Sequence, residues 1–125
     1  MESEFQAAVS AAGGANQAMA EKSRRRELLE RSLAEDPGDP FLRYGLAMQC
    51  LREGETAEGR ERLKALIADH PETQIASYQQ LGQSYAEARM IDEARAVLVE
   101  GIKRALAAGD DHAAAEMRGL HESLN

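Results

Sequence analysis

The sequence is poor in aromatic residues and in residues that break helices. Its 125 residues include no Trp, three Tyr and two Phe, and its three prolines stand at positions 37, 40 and 71. Ala, Leu, Glu and Arg, which favour helix, are frequent, and the stretches between the prolines are free to be helical. This composition predicts an all-α domain and argues against a β-sandwich.

The sequence also has no second cysteine, no recognisable export signal and no long apolar run. Because Cys50 is the single cysteine, no internal disulfide can form, and residues 1–5 are acidic where a signal peptide would be basic. No apolar run approaches the ~18 residues that a membrane-spanning helix needs. We therefore expect a cytoplasmic protein that does not associate with membranes.

The sequence contains fewer basic than acidic residues. The formal net charge of −7 at pH 7 predicts repulsion from phosphate backbones and from anionic membrane surfaces. The one basic run, Arg24 to Arg26, lies among glutamates and is expected to be a solvated helix face. We therefore expect no nucleic-acid partner.

Motifs for catalysis and for tight metal binding are missing. The sequence contains no phosphate-binding loop, no GxSxG and no HExxH. Cys50 is expected to be a buried, unreactive thiol. His112 and Glu116, four residues apart and with His121 further along, supply too few converging ligands for a transition-metal site. We expect no catalytic residue, no metal and no cofactor, and hence no enzyme.

Apolar residues recur every three or four positions in six segments, which predicts six helices separated by short turns. The predicted helices run from 21 to 36, from Pro40 to Gly54, from Thr56 to His70, from Thr73 to Ala88, from Asp92 to Gly109, and from 111 to 124. Asp39, Thr56 and one of Asp110 and Asp111 are the expected caps. Residues 1–20, which have no amphipathic stripe, are expected to be a flexible tail before a single domain at 21–125.

The helices repeat with a period of 34 to 35 residues. A shift of 35 aligns Leu46 with Leu81, Ala47 with Gly82, Cys50 with Tyr85, Gly59 with Ala94, Leu63 with Leu98 and Ile67 with Ile102. A shift of 34 aligns Leu29 with Leu63, Leu33 with Ile67 and Pro37 with Pro71, so the first predicted helix corresponds to the second helix of a pair.

One unit carries a recognisable signature, made of Tyr78, Leu81, Gly82, Tyr85, Ala94 and Leu98. In this spacing the chain resembles the tetratricopeptide repeat family. Four positions depart from the family pattern. In the earlier unit Arg43 replaces the first aromatic residue and Gly59 replaces the alanine. In the later unit Arg89 replaces the turn glycine and Leu106 stands where a proline is expected.

The resemblance implies a right-handed solenoid of helix-turn-helix units. Two full repeats would lie at about 40–73 and 75–108, with capping helices at 21–36 and 111–124. Small residues such as Gly82 are expected to let the two helices of a unit approach closely. The last helix carries a stripe expected to pack against the rest of the domain, formed by Ala113, Met117, Leu120 and Leu124.

The resemblance also implies that the first helix of each repeat lines an inner groove for a protein partner. The predicted groove residues are Phe41, Tyr44, Met48, Arg52, Gln79, Gln80, Gln83 and Glu87. The first repeat offers an apolar strip, and the second offers neutral hydrogen-bonding side chains. These positions lack the Lys, Arg and Asn clamp with which some relatives hold chaperone C-termini, so a chaperone-tail partner is disfavoured.

The predicted function is a protein-interaction module or adaptor that binds a partner peptide or helix. Aromatic and Met side chains suit such a partner. Two alternatives remain open. The helix at 21–36 or the folded-back tail covers Phe41, Tyr44 and Met48, or the protein is a homo-oligomerising structural subunit whose groove is filled by its own chain.

Overall fold

A computed structural model describes residues 24–125. Over this part of the chain there are six helices and no strand. They are α1 (residues 24–35), α2 (Pro40–Arg52), α3 (Thr56–Asp69), α4 (Ile75–Glu87), α5 (Ile91–Ala107) and α6 (Asp111–Ser123). The all-α repeat architecture expected from the sequence is confirmed. The tail predicted for residues 1–20 lies outside the described residues.

Two of the predicted helix caps are confirmed. The Asp39 carboxylate accepts hydrogen bonds from the backbone N–H groups of Phe41, at 2.8 Å, and Leu42, at 3.2 Å, and Pro40 fills the first helical position of α2. The Asp110 carboxylate accepts from the Ala113 N–H at 3.0 Å and so caps α6.

The prediction that Thr56 caps α3 is wrong, because Thr56 is already the first helical residue and Glu55 stands at the cap. Gly54 has a φ of 82°, and the following Glu55 N–H bonds back to the Cys50 carbonyl at 2.9 Å. This tight turn leads into α3 without a side-chain cap.

Close approach of small and large residues holds each helical pair together, as expected. A Cβ built on Gly82 of α4 would lie 2.5 Å from Cδ2 of Leu98 on α5. A Cβ built on Gly59 of α3 would lie 2.7 Å from Cδ2 of Leu51 on α2. In both hairpins the glycine therefore makes room for a leucine of the partner helix.

The last helix packs against both helices of the preceding unit. Met117 of α6 is fully buried, and its Sδ would be 2.7 Å from a Cβ on Gly101 of α5. Ala113 is buried, and Leu120 and Leu124 pack against the same core. The predicted packing role of this stripe is confirmed.

The first helix lies against α2 and is tied to α3. A Cβ on Gly45 would be 3.3 Å from Cδ2 of Leu29, and Arg26 forms an ion pair with Glu58. Leu29 is only partly buried, whereas Leu63 and Leu98, its counterparts in the later units, are 0% exposed. The two sides of the domain therefore differ in how well they are covered.

Candidate partner-binding groove

The eight predicted groove residues lie on α2 and α4, the first helices of the two hairpins. A depression of about 390 Å³ between these helices brings five of them together. Those five are Met48, Arg52, Gln80, Gln83 and Glu87. Two neighbouring depressions share lining residues with it: one reaches Phe41 and Tyr44 through Met48 and Arg52, and one reaches Gln79 through Gln83 and Glu87. The eight side chains therefore line one connected surface.

The apolar end of this surface is open. Phe41 is 83% exposed, so the possibility that the helix at 21–36 covers it is wrong. Its side chain points away from the core because α2 turns Leu46, Ala47 and Cys50 inward instead. Tyr44 is half-buried against the core formed by Ala47 and its neighbours, and this burial raises the pKa of its hydroxyl although Arg52 acts in the opposite direction.

The glutamines on α4 are fixed by carboxylates on the same surface. The Gln83 amide nitrogen donates to Glu87 at 3.1 Å. The Gln79 amide nitrogen donates across to Glu116 of α6 at 2.6 Å. Each amide keeps its carbonyl oxygen as an acceptor and one further N–H as a donor. The α4 side of the groove is thus a row of oriented hydrogen-bonding groups.

Two walls of the groove were not anticipated from the sequence. Arg60 of α3 lines the depression between α2 and α4, and its guanidinium donates to the Ser84 hydroxyl at 2.9 Å and to the Ser84 carbonyl at 3.1 Å. The same guanidinium stacks 5.1 Å from the centre of the Tyr85 ring. Residues of α6 that include Glu116 and Leu120 form the other wall, beside Gln79. The period of 35 residues that links α4 to α2 was the available sign that α6 continues the series.

The thiol of Cys50 lies beside a charged cluster formed by Arg26, Glu58 and Arg62. The thiol is fully buried and donates to Oε2 of Glu58 at 3.0 Å, and the same oxygen accepts from Arg26 and Arg62. Burial first, and then the hydrogen bond to Glu58, raise the pKa of the Cys50 thiol to about 11. A nucleophilic thiolate is therefore disfavoured at this position.

Of the basic run, Arg24 and Arg25 are exposed. Arg26 instead joins Glu30 of its own helix and Glu58 of α3. The interpretation of all three arginines as a solvated face is therefore wrong for Arg26, because its guanidinium connects two helices.

The histidine considered as a metal ligand forms a surface pair. His112 Nε2 lies 2.6 Å from Glu116 Oε1, and the His112 side chain is well exposed. Between residues 24 and 125 no three His, Cys, Asp or Glu side chains are grouped as a metal site would require.

Over the same residues no helix has the length and apolar character needed to cross a membrane.

The tetratricopeptide repeat pattern matches residues 2–83. The chain belongs to the tetratricopeptide repeat family. None of the curated proteins with which it was compared matches it.

A solved tetratricopeptide structure is similar to this one. The solution NMR structure of a tetratricopeptide repeat domain protein from Salinibacter ruber is 25% identical in sequence, with a TM-score of 0.67. The similarity covers 71% of this chain and 89% of that one. Tetratricopeptide repeats serve in general as protein-interaction modules, which is the broad class of function indicated for this protein.

Proposed function

We propose that this tetratricopeptide repeat protein is an adaptor that holds an extended segment of another protein in the groove across α2, α4 and α6. The observation that carries the proposal is Phe41, an aromatic side chain 83% exposed at the open end of the groove. Aromatic side chains contribute strongly to protein interfaces when they are covered by a partner. Met48 lies next along the same surface and adapts to irregular apolar shapes.

The glutamines favour an extended partner over a helical one. A carboxamide offers one donor and one acceptor group, the same pair that a peptide unit offers. The backbone of an extended segment has free N–H and C=O groups, whereas a helix uses its own internally. Gln79 and Gln83 lie one helical turn apart and both line the groove, which supports the proposal of an extended partner.

The charges in the groove give the partner a preferred direction. Arg52 and Glu87 stand 35 residues apart, at equivalent ends of α2 and α4, and both line the central depression. An acidic side chain is favoured beside Arg52 and a basic one beside Glu87. The proposed ligand is therefore a short segment with an apolar anchor for Phe41 and Met48 and with charges of opposite sign further along.

The test is selection from a displayed library of random dodecapeptides, using the full chain as bait. The variant Phe41→Ala/Met48→Ala serves for counter-selection. The matched control is Val99→Ala/Leu106→Ala, which removes two exposed apolar side chains of α5 that lie away from the groove. We expect enriched peptides that bind the parent and the control alike and bind the groove variant at least ten-fold more weakly.

Two further measurements test how a selected peptide binds. Side-chain amide signals of Gln79 and Gln83 should shift when a selected peptide is added. Proline should be tolerated at the peptide positions whose backbone N–H does not donate to a glutamine, because proline fits an extended segment but breaks a helix. Equal binding by all three proteins, or no enrichment at all, contradicts the proposal. Sedimentation that shows a dimer dissociated by the groove substitutions would instead support the homo-oligomeric alternative.

A further inference from the structure

A depression of about 480 Å³ lies between α4 and α6, at the α6 end of the groove. Three of its α4 residues stand 35 residues after three that line the central depression. They are Gln83, Ala86 and Glu87, equivalent to Met48, Leu51 and Arg52. This α4–α6 depression is therefore the same position of the groove, one unit later in the repeat.

The charges at the two positions differ in sign. The central depression is lined by the guanidinium groups of Arg52 and Arg60 together with the carboxylate of Glu87. In the α4–α6 depression Glu87 is the residue at the position of Arg52, and α6 adds the carboxylate of Glu116. The later position therefore favours a cationic group where the earlier one favours an anion.

The arginines near the α4–α6 depression leave these carboxylates without an ionic partner. Arg95, 35 residues after Arg60, donates instead to the Leu124 carbonyl at 3.2 Å. Arg89 lines the depression from the turn between α4 and α5. Among residues 24–125, however, neither Glu87 nor Glu116 forms an ion pair with a lysine or an arginine.

Hydrogen bonds orient the two carboxylates. Glu87 Oε1 accepts from the Gln83 amide at 3.1 Å, and Glu116 Oε2 accepts from the Gln79 amide at 2.6 Å. Glu116 Oε1 lies 2.6 Å from Nε2 of His112. Because each carboxylate oxygen has two lone pairs, both groups can accept from a further donor, and the glutamine carbonyl oxygens add neutral acceptors.

Apolar side chains line the depression beside the carboxylates. Ala86, Leu120 and Leu124 are only partly buried there. Leu120 stands 36 residues after Ser84, a lining residue of the central depression, so this wall has become more apolar in the later unit. An apolar wall next to two carboxylates suits a side chain with a long aliphatic stem and a cationic end.

We propose that the α4–α6 depression is a subsite for a lysine or arginine side chain of the bound segment. The aliphatic stem lies along Leu120 and Leu124, and the cationic group lies between Glu87 and Glu116. The inference rests on the proposed function for its claim that the ligand is a protein segment. It adds which side chain that segment carries and which part of α6 recognises it.

The repeat also sets the spacing of charges in the ligand. Neighbouring helices pack ~8–10 Å apart, and an extended segment covers ~3.3 Å per residue. The basic residue should therefore stand about three positions from the acidic residue that Arg52 and Arg60 favour. Peptides enriched by the selection described above should show this order of charges.

The test uses the full chain and a small probe, N-acetyl-lysine methylamide. The comparison probe is N-acetyl-norleucine methylamide, which keeps the aliphatic stem but lacks the ammonium group. NMR follows the methyl signals of Leu120 and Leu124 and the side-chain amide signals of Gln79 and Gln83. We expect saturable shifts with the lysine probe and at least three-fold weaker binding of the norleucine probe.

Three variants locate the charges that matter. Glu116→Gln keeps an acceptor for Gln79 but removes the charge, so it should weaken binding of the lysine probe about three-fold. Arg89→Ala removes a competing cation and should strengthen it by a similar factor. Glu122→Gln makes the same charge change on α6 at a residue that does not line the depression, and it should leave the affinity unchanged.

Four results would overturn the subsite: no saturable shift, equal affinities for the two probes, no loss in Glu116→Gln, or an equal loss in Glu122→Gln. The peptide selection gives a separate answer. Binding of the lysine probe without any enriched peptide would refute only the adaptor proposal. Enriched peptides that lack lysine and arginine and that bind Glu116→Gln as well as the parent would refute only the subsite.

Discussion

Gly101 of α5 faces Tyr78 of α4 so closely that a Cβ built on the glycine would lie 2.7 Å from the Cβ of the tyrosine. The Tyr78 Cβ is fixed to the α4 backbone, so added volume can be accommodated only if the helices separate. Gly101→Ala should therefore lower the free energy of unfolding by about 2 kcal/mol. Urea unfolding followed by circular dichroism measures the change.

Gly119 provides the matched control for this substitution. It lies within α6, and nothing stands within 4 Å of a Cβ built on it. Gly119→Ala should raise the free energy of unfolding by about 0.5–1 kcal/mol, because alanine loses less conformational freedom in a helix. Equal effects of the two substitutions would contradict the close packing of α4 and α5.

Arg89 has a φ of 61° in the turn between α4 and α5, whereas glycines occupy the similar positions 54 and 109. A side chain in this left-handed conformation costs about 1–2 kcal/mol. Arg89→Gly should therefore raise the free energy of unfolding by about 1 kcal/mol, part of the gain being offset by the freer unfolded chain. Arg89→Ala keeps a Cβ and should give no such gain, and an equal gain would assign the effect to charge removal.

Glu58 should make folding sensitive to acid. Hydrogen bonds from Cys50, Arg26 and Arg62 lower the pKa of its carboxyl from 4.5 to about 2. A lowered folded-state pKa stabilises the protein fully above pH 4.5, and that contribution fades as the pH falls from 4.5 to 2. Glu58→Gln should therefore cost stability at pH 7 and have little effect near pH 2.

The size of this effect is limited by solvent. The Glu58 side chain is 39% exposed, so screening restricts the difference at pH 7 to about 1 kcal/mol. Glu61→Gln is the control, since Glu61 is 72% exposed and, among residues 24–125, forms its ion pair with Lys64 of its own helix. Urea titrations at several pH values compare the two variants, and a pH-independent loss in Glu58→Gln would contradict the role of its charge.

Cys50 should resist alkylation in the folded protein. Raising its thiol pKa from 9 to about 11 lowers the thiolate fraction at neutral pH about 100-fold, and burial restricts access further. Iodoacetamide labelling followed by mass spectrometry should be at least that much slower in buffer than in urea. Similar rates under the two conditions would show that the α2–α3 hairpin opens readily.

The sequence predicted the helices and their pairing because these features depend on local periods. Gly82 and Leu98 sit at spacings that recur 35 residues earlier, so a close approach of α4 and α5 at Gly82 was expected from the sequence. The first residue of α4 was harder to predict from the sequence. The N–H groups of Thr73 and Gln74 both bond to the His70 carbonyl, and this turn delays the helix to Ile75.

Contacts between distant side chains could not be predicted in this way. Arg26 and Glu58 are 32 residues apart, and no periodic pattern specifies that their charges meet beside Cys50. Arg60 was missed as a groove residue because the family resemblance directs attention to the first helices, whereas Arg60 belongs to α3. The binding roles of the eight predicted residues remain predictions.

The hydrogen bonds between Arg60 and Ser84 affect how fast a ligand binds. Two hydrogen bonds and the stacking on Tyr85 hold α3 against α4, so the central groove has its width before any ligand arrives. Association should then proceed in one kinetic step, with an observed rate that rises linearly with ligand concentration. Differences in affinity among ligands should appear mainly as differences in how long each one stays bound.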